Sequence, residues 1–240
     1  MSHAAPPWPD PDVRRTVIRF RHGSTRRAWE TAWSHLASSG QPNGLGALLP
    51  NGGTDGRSLQ TRLLLPRALI DLPRLVVSTR RLALPEAVSA AVPLIGAGPG
   101  LTPSWDDLLI GFMAGLRTAT SGKPERPGFL TRLGAAIQAA GNATTDVSRR
   151  VIDRTVAGYG PPWIDDVLAA IAAGNVTRTR RATREALHIG HTSGTDTMLG
   201  ALLGCAVWQA GPQLDATLAA LSCRDPNMAS DASGGRHGTH

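Results

Sequence analysis

The sequence predicts an α+β protein, with a small, mostly antiparallel β-sheet region near the N-terminus followed by a C-terminal helical bundle. Three observations carry that expectation. Within the β-rich region 13–84, the stretch from Gly44 to Leu84 breaks into short apolar pieces separated by proline and turn residues, the texture of short strands. After Pro85 the apolar spacing becomes helical almost to the end. One pattern then occurs twice at helix starts, Ser104-x-x-Asp107-x-x-x-Gly111-x-x-x-Gly115 and Ser193-x-x-Asp196-x-x-x-Gly200-x-x-x-Gly204.

In chain order, residues 1–12 carry Pro6, Pro7, Pro9 and Pro11 and read as a disordered leader that lacks the apolar core of a secretory signal. Thr16 to Arg21 alternates Ile18 and Phe20 with Arg19 and Arg21, as a half-buried strand would. Ser24 is placed to cap a short helix ending before Gly40, with Trp29, Trp33 and Leu36 on its core face. Leu45 to Leu49, Leu59 to Leu65 and Leu75 to Thr79 are further expected strands, from the stretch Gly44 to Leu84. Pro66, Pro73 and Pro85 bound them, and Asn51 to Gly56 forms a turn. In this half only Arg62, Arg80 and Arg81 are candidates to reach a pocket. Residues 85–223 form the helical region, with helices over 86–94, 105–118, 129–140, 163–172, 176–187, 198–209 and 214–221. A further helix starts at Thr144 to Ser148 and stops near Gly158. The arginines of 176–187 read as a solvated face, and residues 224–240 as a disordered tail.

Composition narrows the function. At 240 residues, with 41% hydrophobic and 18% charged residues, the chain has the makeup of a globular protein with ample length for a core. The net charge of +7 and pI near 11.0 would fit a nucleic-acid binder, but Lys123 is the only lysine and the arginines are scattered. No zinc-finger spacing, RNA-binding signature or basic helix with heptads occurs, so no nucleic-acid partner is expected. Cys205 and Cys223 are too few and too far apart for a disulfide framework or a metal site. No apolar run reaches the ~20 residues that span a bilayer, so the expectation is a cytoplasmic protein with no membrane partner.

The chemistry is expected at the duplicated pattern. Gly96, Gly98 and Gly100 alternate through a tight loop that runs through Thr102 and Pro103 into the first of the two helices. Such a loop turns backbone N–H groups and the positive end of a helix dipole toward an anion. The glycine faces let two helix backbones approach closely, so the two polar starts are expected in one pocket, where Asp107 and Asp196 would meet. Two close carboxylates repel unless they are protonated, bridged by a cation such as Mg²⁺, or satisfied by N–H groups. The simpler reading has each Ser and Asp capping its own helix. Asp106, adjacent to Asp107, points roughly 100° away on a helix. His191, beside Thr192 and Ser193, is a candidate proton carrier, while His188 and His191 alone are a weak metal pair. Thr144, Thr145 and Ser148 are a capping set, or a third wall of the pocket if the helix starts converge. No Walker loop, nucleophile elbow or dinucleotide fingerprint is present.

Three blocks of this sequence resemble the signature blocks of the AllH-like family: Gly98 to Asp107, Thr144 to Ser148, and Ile189 to Asp196. The resemblance covers about residues 90–210. Trp105 stands where that family usually has glycine, a change expected to reshape the pocket mouth. The proline-rich start and short N-terminal half also depart from the family. The resemblance implies a link to oxamate carbamoyltransferase, a multi-subunit enzyme that interconverts oxalurate plus phosphate with oxamate plus carbamoyl phosphate. It therefore implies small anionic substrates and a hetero-oligomer with other carbamoyltransferase subunits. On that premise Gly98 and Gly100, with Thr102 and Ser104, would take one anion, and Thr192 with Ser193 the other. Asp106, Thr144, Thr145 and Ser148 complete the anion-binding candidates. Asp107, Asp196 and His191 are the catalytic candidates; the two aspartates are also the ligands of Mg²⁺, if that cofactor is used. A stand-alone small-acid lyase or amidohydrolase, or a non-catalytic anion-binding subunit, are the alternatives on the same scaffold.

Overall fold

The computed structural model describes residues 16–49 and 59–209, so the expected leader, the 51–56 turn, the 214–221 helix and the tail lie outside the described residues. Among the described residues 73% are helical and none is in a strand, which overturns the α+β expectation and its N-terminal sheet. The elements are α1 (Gly23–Ser39), a 3-10 turn (Gly44–Leu48), α2 (Leu59–Arg80), α3 (Leu84–Ala91), α4 (Ser104–Thr118), α5 (Glu125–Ala139), α6 (Asp146–Val156), α7 (Pro162–Ala172), α8 (Val176–Leu187) and α9 (Ser193–Ala206).

Each expected strand fails for a physical reason. Ile18 and Phe20 are buried and Arg19 and Arg21 exposed, so the alternation exists, but among the described residues no partner strand lies beside it. The segment is instead pinned across the end of α4 by Ile18 N–H donating to Thr118 O at 2.9 Å. Leu45 to Leu49 winds into the 3-10 turn. The other two segments, 59–65 and 75–79, are the two ends of one helix, α2, which carries Pro66 and Pro73 within it. Proline removes a helix hydrogen bond and crowds the preceding turn. Here burial of Leu64, Ala68, Leu72, Leu75 and Val76 outweighs that cost. Fully burying one leucine is worth about 1.5–3 kcal/mol. Pro66 is exposed on the other side.

Among the described residues the helices after residue 84 follow the expected order, though α5 and α9 begin four and five residues earlier than expected. In α1, Trp29 stacks on Trp33 with ring centroids 5.5 Å apart, and its indole N–H donates to Leu202 O at 3.1 Å. Arg178, Arg180, Arg181 and Arg184 of α8 are all exposed, as a solvated face should be.

At the centre lie α4 and α9, which share the most extensive contact between described elements. They are apolar nearly all round and buried nearly throughout, the expected fate of such helices. A Cβ on Gly111 would stand 1.9 Å from Thr197 O, and one on Gly200 would stand 2.0 Å from Leu108 O. Gly115 meets Ala201 O and Gly204 meets Phe112 O in the same way, each at 2.3 Å. Equivalent positions of the two motifs therefore meet reciprocally. The pairing runs parallel, so both N-termini emerge at one end. That juxtaposes two positive dipole ends, which favours negative or acceptor groups there.

Candidate functional site

Neither Ser104 nor Ser193 caps its own helix. The cap positions are Pro103 and Thr192, neither of which makes a side-chain capping bond. Ser104 and Ser193 are therefore the first helical residues, and their side chains are free to interact across the seam. Hydroxyls of one helix face the carboxyl of the other: Ser193, with Thr102, acts on Asp107, and Ser104 acts on Asp196. Ser104 Oγ favours the charged form of Asp196 without reaching hydrogen-bond geometry. Ser104 Oγ, Asp107 Oδ2 and Asp196 Oδ2 are all buried without a hydrogen-bond partner. A buried unpaired oxygen costs about 1–3 kcal/mol, more if charged, so a set of them together calls for a proton, a water or a bound group to satisfy it.

Above these atoms opens a cleft of about 440 Å³. Six of the expected site residues line it: Gly100, Thr102, Ser104, His191, Thr192 and Ser193. The Thr102 and Ser193 hydroxyls lie 3.0 Å apart across it, so segments distant in sequence share one wall. Asp107 and Asp196 lie one layer deeper, at 5% and 0% exposure. Burial is the first cause that pushes Asp107 up to about 8, opposed by the Ser193 hydroxyl and reinforced by the charge of Asp196. Burial likewise pushes Asp196 up to about 7, against the Ser104 hydroxyl and the Leu45 N–H.

Other expected residues sit behind the cleft. Asp106 is fully buried, and its carboxylate accepts Gly96 N–H at 2.8 Å, Ser148 Oγ–H at 2.6 Å and the Thr144 hydroxyl. Thr145 caps α6 by accepting Ser148 N–H at 3.1 Å and donates its hydroxyl to Leu101 O. This set straps α6 to the glycine loop and shapes the cleft without lining it. In that loop Gly96 has φ +76°, and a Cβ there would meet Ala143 O at 2.0 Å. Gly98 lies over the start of α4, where a Cβ would stand 2.8 Å from Ser104 N. Trp105, expected at the pocket mouth, is instead fully buried in the core. His188 points back along its helix, 2.7 Å from Arg184 O. Arg80 donates to Val207 O at 3.3 Å, Arg81 is exposed beside α3, and the Arg62 side chain lies outside the described residues.

One wall escaped sequence reasoning. Asn43 and Gly44, from a half in which only arginines were considered, line the cleft with Leu64. Leu45 N–H donates to Asp196 Oδ1 at 2.8 Å, and Gln41 N–H to Thr195 Oγ1 at 2.9 Å. The available signal was Asn43-Gly44-Leu45-Gly46, where glycine is required: Gly44 has φ +61°, and its Cβ would stand 2.8 Å from Asp196 Oδ2.

Among the described residues no group of three or more His, Cys, Asp or Glu is placed to hold a metal ion, and no helix is long and apolar enough to cross a membrane. Residues 94–205 match the model of the AllH family, described as oxamate carbamoyltransferase subunit AllH. The resemblance read from the sequence holds over that span, which includes both helix starts, the glycine loop and the α6 strap but not the 41–48 wall. No solved structure matches the chain.

Proposed function

We propose, from the premise of an AllH-like body over residues 94–205, that this chain is a subunit of an oxamate carbamoyltransferase-type enzyme. Its cleft would bind carbamoyl phosphate and a small carboxylate acceptor of the oxamate or oxalurate kind. The observation that carries the reading is the junction of two parallel helix N-termini beneath one cleft, with hydroxyls on its floor and buried carboxyls behind them.

Two aspartates under an anion site look contradictory until their protonation is considered. With Asp107 near 8 and Asp196 near 7, the floor is not doubly negative at neutral pH, and the two helix ends supply positive potential. Transfer requires the carbonyl oxygen to be polarised, the phosphate leaving group neutralised and a proton removed from the acceptor nitrogen. Thr192, Ser193 and the Gly100 to Ser104 turn supply donors, and His191, on the same cleft, is a proton carrier for the departing phosphate.

The test is carbamoyl-phosphate-dependent product formation by the chain alone and with candidate partner subunits, for wild type, Asp107→Asn and Ser193→Ala. Activity that falls in both variants supports the reading; unchanged activity in both removes it. Run with Mg²⁺ and with a chelator, the same assay decides whether the carboxyl pair works with a proton or with that cation.

A further inference from the structure

Most of the cleft lining comes from residues 94–205, but Asn43, Gly44 and Leu64 come from outside the span that the family match covers. Two backbone ties hold this wall against the first turn of α9, one on either side of Asn43. Gln41 N–H donates to Thr195 Oγ1 at 2.9 Å, and Leu45 N–H to Asp196 Oδ1 at 2.8 Å. Asn43 stands at the start of the 3-10 turn, where an asparagine side chain commonly accepts a backbone N–H, yet it makes no such bond. Its backbone is extended (φ −90°, ψ 173°) and the residue is half-buried at the cleft, so its amide is not committed to the turn.

The other polar side chains of the lining are the hydroxyls of Thr102, Ser104, Thr192 and Ser193 and the imidazole of His191. Ser104 is 1% exposed and its Oγ has no partner, so the floor has room for a hydrogen bond from a bound molecule. An amide differs in kind from these groups. It offers a donor and an acceptor side by side, the complement of another amide.

Resting on the carbamoyl-transfer reading, we propose that Asn43 is the specificity residue of the cleft: it pairs with the carboxamide of the acceptor, whose carboxylate lies at the helix N-termini. The Asn43 carbonyl accepts one N–H of the acceptor amide, and the Asn43 NH₂ donates to its C=O. The second N–H of the acceptor stays free for the proton removal that transfer needs. The wall therefore distinguishes a small acid that carries an amide from the diacid of the same size. Charge alone predicts the reverse, since two helix N-termini favour a dianion over a monoanion. Against a diacid the Asn43 carbonyl would face a second acceptor, and a site built for a donor rejects the analogue that lacks one.

The experiment is calorimetric titration of the full chain, alone and with candidate partner subunits, with oxamate and with oxalate. Wild type is expected to bind oxamate about tenfold more tightly than oxalate, the scale of one or two net hydrogen bonds. Asn43→Ala should weaken oxamate by about tenfold and leave oxalate nearly unchanged, which erases the preference. Asn43→Asp keeps an acceptor and repels the dianion, so there the preference should survive or widen. Aspartate suits the start of a turn as well as asparagine does, so this variant carries the test if the alanine variant is destabilised. Gln41, exposed and tied through its backbone, is the control, and Gln41→Ala keeps the wild-type ratio. A wild type that binds oxalate as tightly as oxamate overturns the proposal and leaves the anion cleft standing. So does an Asn43→Ala chain that keeps the ratio, or an Asn43→Asp chain that loses it. A wild type that binds neither acid in any assembly overturns the carbamoyl-transfer reading and this assignment with it.

Discussion

At the scale of single residues, adjacent aspartates do unlike work because a helix turns about 100° per residue. Asp106 looks toward α6 and accepts three hydrogen bonds, while Asp107 looks toward α9 and keeps an unpaired oxygen. Hydrogen bonds to a charged group contribute about 1.5–3 kcal/mol each. Asp106→Ala should therefore lower unfolding free energy by at least about 3 kcal/mol and loosen the glycine loop, as read by urea denaturation and amide exchange at residues 96–102. A loss below 1 kcal/mol (an order-of-magnitude bound) would show that the strap is unimportant. Asp107→Asn removes a carboxyl whose burial is already unfavourable, so it should leave the fold intact or slightly stabilise it at neutral pH.

At the scale of elements, the α4–α9 seam depends on hydrogen atoms standing where any side chain would strike backbone. Gly200→Val places carbon about where Leu108 O already lies, and backbone cannot give way as a flexible side-chain end can. Overpacking costs about 1–3 kcal/mol where side chains can shift, so a rigid backbone contact should exceed that and abolish cooperative folding. Gly128 in α5 is the control, because nothing lies within 4 Å of a Cβ built there. Gly128→Ala should stabilise by about 0.5–1 kcal/mol through helix propensity and lost unfolded-state freedom. Paired thermal melts check both, and a tolerated Gly200→Val would refute the seam.

At the scale of the whole molecule, the buried carboxyls tie stability to pH. Asp107 and Asp196 bind protons more tightly folded than unfolded, since 3.8 rises to about 8 and about 7. Their contribution is complete below pH 3.8 and is lost as pH climbs through 7 and 8. The melting temperature should therefore drop between pH 5.5 and 8.5, and the difference between wild type and Asp107→Asn should change sign or shrink across that window. A difference independent of pH would mean that Asp107 is ionised throughout. A small anion that fills the cleft should raise the melting temperature by mass action, whether or not turnover follows.

The sequence by itself determined what local spacing can encode. Glycines every four residues and a Ser-x-x-Asp start, written twice, were enough to predict two close-packed helices with their polar ends together, because helical periodicity maps directly onto a face. Tertiary structure alone decided the rest. Two proline-bounded apolar runs became one helix, α2, because burial of a 3.6-period stripe outweighed the proline penalty, and that balance depends on which surfaces are available to cover it. Ser104 and Ser193 moved one position inside their helices, from caps to cross-seam partners, because Pro103 and Thr192 took the cap positions. The 41–48 wall joined the cleft through backbone N–H groups, which every residue carries and which no side-chain pattern can announce.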